Sequence, residues 1–106
     1  MKAKKNAWLI SGVRTPIGSF GKSLRSVTVD KLAAHVIKGV LRQTKVNPSA
    51  VDQLIMGHGY QSSYTPNTGR VSAQLAGVPD SVPAVTVQRQ CGSGMEAANN
   101  AAEKIW

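Results

Sequence analysis

The chain has 106 residues, enough for one small domain, and 42% of them are hydrophobic, which excludes a disordered polar chain. Thirteen Lys and Arg stand against five Asp and Glu, and the net charge of +8 makes the surface attractive to polyanions. The single cysteine excludes an internal disulfide and fits a reducing, cytoplasmic compartment, and no apolar run approaches the ~20 residues of a membrane span.

The start, Met1-Lys2-Ala3-Lys4-Lys5, is basic and reads as a solvated terminus. The apolar stretch behind it is too short for a signal peptide. Trp8-Leu9-Ile10-Ser11-Gly12-Val13 is too short for a helix and reads as a strand buried on both faces. A loop over residues 14–26 follows, punctuated by Pro16, Gly18 and Gly21.

Residues 28–44 carry the clearest helical period. Val29, Leu32, Ala33, Val36, Ile37, Val40 and Leu41 make one apolar face. Lys31, His35, Lys38, Arg42 and Lys45 recur on the other. Thr28 stands where an N-cap belongs, and Asp30 in the first turn suits the helix dipole. Full burial of the apolar face would contribute on the order of ten kcal/mol before ordering entropy is counted.

Asn47-Pro48-Ser49 marks a turn, and Leu54-Ile55-Met56-Gly57 is the second strand. A loop over 58–66 carries Tyr60 and Tyr64. Residues 67–76 read as a short helix, with Gly77 at its C′ position and Pro79 beyond. Residues 82–88 form the third strand and 91–105 the third helix. That last helix is rich in Gly, Ala, Ser and Asn, which lets backbones approach closely and suits the middle of a layered fold. The order β-α-β-α-β-α implies a parallel or mixed sheet in an α/β fold.

The chemistry gathers at the last strand-to-helix junction, Gln90-Cys91-Gly92-Ser93-Gly94. Free cysteine is most often a buried, inert side chain. Here the lone thiol falls on or just before a helix start, where unpaired N–H groups and the positive dipole end favour a sulfur anion. Two histidines are present. His35 lies among the cations of the first helix and reads as solvated. His58 follows the second strand, near the sheet's carboxyl edge where α/β sites gather, and is the weaker candidate for a partner to Cys91. Arg70, Gln74, Arg89, Gln90 and Met95 flank the junction as secondary candidates for substrate or interface contacts. Cys91, His35 and His58 lack metal-ligand spacing, and Gly57-His58-Gly59 lacks the rest of a phosphate loop, so no metal and no bound cofactor are expected. The basic residues are spread out without interleaved aromatics, which makes a nucleic-acid-binding module the lesser reading.

Four stretches together resemble the N-terminal part of a thiolase. They are Ser11-Gly12-Val13-Arg14-Thr15-Pro16-Ile17-Gly18-Ser19-Phe20, Val51-Asp52-Gln53-Leu54-Ile55-Met56-Gly57, Asn67-Thr68-Gly69-Arg70-Val71-Ser72-Ala73-Gln74-Leu75-Ala76-Gly77-Val78-Pro79, and Gln90-Cys91-Gly92-Ser93-Gly94. The resemblance implies a portion of a five-layered α-β-α-β-α fold, residues 1–106 being a partial N-terminal domain without the loop domain or the C-terminal half. It implies acyl transfer between CoA thioesters, with acyl-CoA and CoA as substrates. Cys91 would be the nucleophile and its backbone N–H one oxyanion donor. It also implies a homodimer or dimer of dimers through Val82-Pro83-Ala84-Val85-Thr86-Val87. In that family the activating histidine and a second cysteine lie far downstream, so these 106 residues alone are not expected to turn over. Arg14-Thr15-Pro16 is a family mark read as structural: Pro16 fixes a turn and Arg14 ties a loop. A ketoacyl-synthase-like condensing enzyme of the same superfamily is the nearest alternative.

Overall fold

The computed structural model describes residues 5–106; the basic residues Lys2 and Lys4 fall outside them. Helix α1 spans Val29–Thr44, strand β1 Leu54–Gly57, helix α2 Thr68–Leu75, strand β2 Ala84–Val87 and helix α3 Ser93–Ile105. A 3-10 turn over Pro48–Ala50 precedes β1, closed by the Asn47 side chain accepting from the Ser49 N–H at 3.0 Å. β1 and β2 pair in parallel, with Leu54 opposite Ala84 and Gly57 opposite Val87. The α2 crossover that joins them is what parallel pairing requires. Helices α1 and α2 pack on each other, and α2 lies against both strands.

Side-chain alternation along β1 sorts the layers. Leu54 joins the core formed by Ala34, Ala73, Ala76, Val78 and Val82, and Met56 abuts Gly69 of α2. Ile55 lies beside Ala101 and Ile105 of α3, and Gly57 abuts Ser93. The sheet is thus held between α2, backed by α1, on one face and α3 on the other. The α/β class read from the sequence stands.

Helix α2 ends as its sequence requires. Gly77 takes φ +83°, donates its N–H to the Gln74 carbonyl at 3.0 Å, and Val78 donates to Ala73 at 3.0 Å. These are the two bonds of a Schellman motif, and its apolar contact, Val78 with Ala73, is part of the core.

The first strand is the clear correction. Residues 8–13 form no strand, and Trp8, Leu9 and Ile10 are 75%, 96% and 79% exposed. The segment runs along α1, with Ser11 Oγ accepting from Gln43 Nε2 at 2.8 Å and Val13 beside Gly39. A strand buried on both faces needs a neighbour to complete its ladder and layers above and below it. Among the described residues this segment has neither, so the order is α-β-α-β-α and the sheet has two parallel strands.

Helix α1 forms over the expected residues, but its apolar face is only partly covered. Its buried residues are Asp30 and Ala34, while Leu32, Ala33, Val36 and Val40 are half-buried and Val29 is exposed. Thr28 is the N-cap by position, yet its side chain caps no N–H. Two open grooves flank α1 and β1. One, of ≈ 270 Å³, is lined by Leu32, Val36, Met56 and His58; the other, of ≈ 610 Å³, by Ile37, Val40, Leu54 and Ala101. The accessible surface is 7867 Å² at 11.2 kDa. A folded monomer of that mass exposes about 5,700 Å².

Candidate active site

The 88–93 turn carries the only cysteine. β2 ends at Val87, α3 begins at Ser93, and Gly92 is its N-cap residue, so Cys91 lies two residues before the helix, exposed and free. The preceding Gln90 takes φ +48°, a left-handed conformation uncommon for a residue with a Cβ. Local hydrogen bonds hold it there. The Gly92 N–H donates to the Arg89 carbonyl at 2.9 Å and the Ser93 N–H to the Gln90 carbonyl at 3.2 Å. The Ser93 hydroxyl accepts from the Arg89 N–H at 2.8 Å and donates to the Gln90 carbonyl at 2.7 Å. Arg89 Nε lies 3.6 Å from Glu96 Oε2 across the first turn of α3. The thiol is therefore presented by a braced turn at a helix start and faces solvent. The N–H groups of Gly94 and Met95 find no acceptor among the described residues, as befits a helix start.

The turn is seated by β1 as well as β2. A Cβ on Gly57 would overlap the carbonyl of Ser93, so β1 and α3 meet backbone to backbone there. At the next position but one, Gly59 lies against the Gln90 carbonyl. On the other face, the start of α2 is stitched to β2. Asn67 Oδ1 accepts from the Arg70 N–H at 3.1 Å and from the Thr86 hydroxyl at 2.8 Å, and Thr86 Oγ1 accepts from the Gly69 N–H at 2.8 Å. Two free donors of the α2 N-terminus are thereby satisfied by one strand side chain and one cap.

His58 is not joined to Cys91. By the alternation of β1 its side chain falls on the α2 face, where Nδ1 meets Thr68 Oγ1 at 2.9 Å. That hydroxyl spends its one proton on the Thr65 carbonyl, 3.0 Å away. With that proton engaged, Nδ1 is the donor of the pair. His35 is exposed beside Lys31 and Lys38.

Arg70 holds a loop: Nη1 donates to the Val82 carbonyl at 2.9 Å and Nη2 to that of Asp80 at 3.1 Å. Gln74 Nε2 reaches the Asp80 carboxylate at 3.2 Å. Among the described residues Arg14 ties only its own neighbour, the Thr15 carbonyl, at 3.1 Å. Met95 is exposed on the first turn of α3. Sequence reasoning passed over Ser93, Asn67 and Thr86. The available signal was residue type alone: small hydroxyl and amide side chains next to element ends.

The sequence matches the family profile described as Thiolase, N-terminal domain, over residues 7–106. It is 37% identical over 97 residues to a probable acetyl-CoA acyltransferase of Staphylococcus aureus (strain NCTC 8325 / PS 47), covering 92% of this chain and 25% of that protein. It is 40% identical over 98 residues to an acetyl-CoA acetyltransferase of Schizosaccharomyces pombe, again covering 92% of this chain and 25% of the relative. The crystal structure of the Bacillus anthracis acetyl-CoA acetyltransferase matches with a TM-score of 0.86 and 44% identity, covering 90% of this chain and 24% of that one. The chain thus spans about a quarter of the length of the curated relatives it matches. With the α/β layering and these matches together, the chain belongs to the thiolase family and matches its N-terminal part.

Proposed function

We propose that this chain supplies the nucleophile of an acyl transfer between CoA thioesters. The observation that carries the reading is the placement of Cys91: free, exposed and held in a braced turn ahead of α3. In the reaction the Cys91 sulfur attacks the carbonyl carbon of an acyl-CoA. A new thioester bond forms to Sγ, the bond to the CoA sulfur breaks, and CoA leaves with a proton as the free thiol. A second nucleophile, CoA or the α-carbon of another acyl-CoA, then takes the acyl group and releases Sγ. The backbone N–H of Cys91 is one donor to the developing oxyanion.

Neither His58, on the other face of the sheet, nor His35, on the outer face of α1, takes the Cys91 proton in this scheme. The sequence holds no second cysteine. Turnover therefore draws on groups outside these 106 residues, and the chain works in the cytoplasm, where a free thiol stays reduced. A second copy pairs through the region of β2, whose outer edge faces no strand among the described residues.

The test is intact mass after brief incubation with acetyl-CoA. One acetyl group, mapped to Cys91 and lost in Cys91→Ala, is the expected result. No adduct, or an adduct elsewhere, overturns the reading. Thiolysis of acetoacetyl-CoA by the purified chain would overturn the need for outside groups.

A further inference from the structure

We infer that Ser93 is a positioning residue for the Cys91 nucleophile, an inference that rests on the acyl-transfer reading and adds to it. Ser93 is 4% exposed and its hydroxyl is fully engaged, accepting from the Arg89 N–H at 2.8 Å and donating to the Gln90 carbonyl at 2.7 Å. These partners are the two residues just before Cys91. The hydroxyl therefore closes a loop around the segment that sets the direction of the sulfur.

Three further facts assign it that task. Gln90 is held at φ +48°, a left-handed conformation that a residue with a Cβ keeps only when its surroundings enforce it. Ser93 supplies two of the bonds that enforce it, one from its hydroxyl and one from its N–H. The Ser93 carbonyl is fixed in turn against Gly57, so the brace is anchored to β1 rather than to the turn alone. Finally, Cys91 itself is free and exposed. An exposed side chain takes much of its direction from the backbone on either side, and among the described residues Ser93 is the buried side chain hydrogen-bonded to that backbone. A nucleophile that meets a thioester carbonyl along a defined approach loses rate when its direction is free, because that order must then be imposed in the transition state.

The test compares the unaltered chain with Ser93→Ala and Ser93→Thr, following the rate of acetyl transfer from acetyl-CoA to Cys91 by intact mass and the fold by circular dichroism. Ser93→Ala is expected to fold and to acetylate at least ten-fold more slowly, and Ser93→Thr, which keeps the hydroxyl, to stay within three-fold of the unaltered chain. A folded Ser93→Ala that acetylates at the unaltered rate overturns the inference. Should Ser93→Ala unfold, Ser93→Thr decides: a folded chain within three-fold supports the inference, and a folded chain slowed ten-fold overturns it. No adduct on the unaltered chain overturns the acyl-transfer reading together with this one, whereas an adduct unaffected by Ser93→Ala overturns this one alone.

Discussion

Gly57, the last residue of β1, meets Ser93, the first residue of α3, backbone to backbone. No side chain stands between strand and helix, so the helix that follows Cys91 takes its place directly from the sheet. A Cβ at 57 would overlap the Ser93 carbonyl and lie 2.6 Å from the Gly94 nitrogen. Gly57→Ala must therefore push α3 away, at a cost of about 1–3 kcal/mol. The urea midpoint should fall accordingly, and acetylation of Cys91 should slow, because the same shift moves Ser93. A variant that melts with the unaltered chain would show that the contact is slack.

The Asn67–Thr86 pair makes a second prediction. Asn67 caps α2 through its carbonyl oxygen and also donates from Nδ2 to the Ala84 carbonyl at 3.2 Å, while Thr86 relays to the Gly69 N–H. Asn67→Ala should cost about 1–2 kcal/mol. Thr86→Val should cost a similar amount. Because the two side chains share one hydrogen bond, the double variant should lose less than the sum, with a coupling of at least about 0.5 kcal/mol. Strictly additive losses would mean that the bond contributes nothing.

What could be read in advance follows from how local each signal is. Helix α1, the Gly77 stop and the Cys91 junction rest on periodicity, on a positive φ that favours glycine, and on a residue's place beside a helix start. All three lie within a few residues of chain; the first two stand, and the helix read from Cys91 begins two residues later, at Ser93. The strand at Trp8-Leu9-Ile10 failed because a strand is completed by its neighbours, and hydrophobicity says nothing about whether a neighbour is there. The apolar face of α1 failed in part for the same reason: Ala34 is covered by α2, but Val36 and Val40 stay half-buried along open grooves. The His58 side chain faces away from Cys91 because strand alternation decides its face. Its link to Thr68 joins residues ten apart, on different elements, that no motif connects.

Ser72 gives a stability prediction of opposite sign. It is fully buried in α2, and its hydroxyl has no hydrogen-bond partner among the described residues. A buried hydroxyl without a partner keeps its desolvation penalty. Ser72→Ala removes that penalty and leaves a residue of better helix propensity. The variant should be as stable as the unaltered chain or more so, by up to about 1 kcal/mol. A loss of stability on thermal melting would reveal a partner for the hydroxyl.

The uncovered apolar surface predicts association. Trp8, Leu9, Ile10, Ile17, Phe20 and Tyr60 are each at least 75% exposed, and β2 offers an edge unpaired among the described residues, with Val85 38% exposed. Large exposed patches and free edges drive self-contact. At micromolar concentration the purified chain should sediment above its 11.2 kDa monomer mass. Val85→Lys, which places a charge on the edge, should shift the distribution towards the monomer. A single monomeric boundary for the unaltered chain would rule this out.

The last prediction concerns acid. Asp30 is buried at the start of α1. The Thr28 hydroxyl, first of all, and then the N–H groups of Lys31 and Asp30 and the Tyr64 hydroxyl hold its carboxyl below the ordinary value of 3.8, although burial acts the other way. Tyr64 lies 3.4 Å away and brings the 58–66 loop to the helix. A carboxyl that binds its proton less tightly in the folded chain than in the unfolded one stabilises the fold when ionised. That stability is complete above the unfolded value, about 3.9, and is lost as pH falls through the lower folded value. Below about pH 4 the urea midpoint of the unaltered chain should therefore drop more steeply than that of Asp30→Asn, which has no proton to take up there. Thr28→Val, which removes the strongest donor, should move the Asp30 titration upward in a carboxyl NMR experiment. Parallel acid profiles for the unaltered chain and Asp30→Asn would mean that Thr28 and Tyr64 leave the carboxylate no better held than water does.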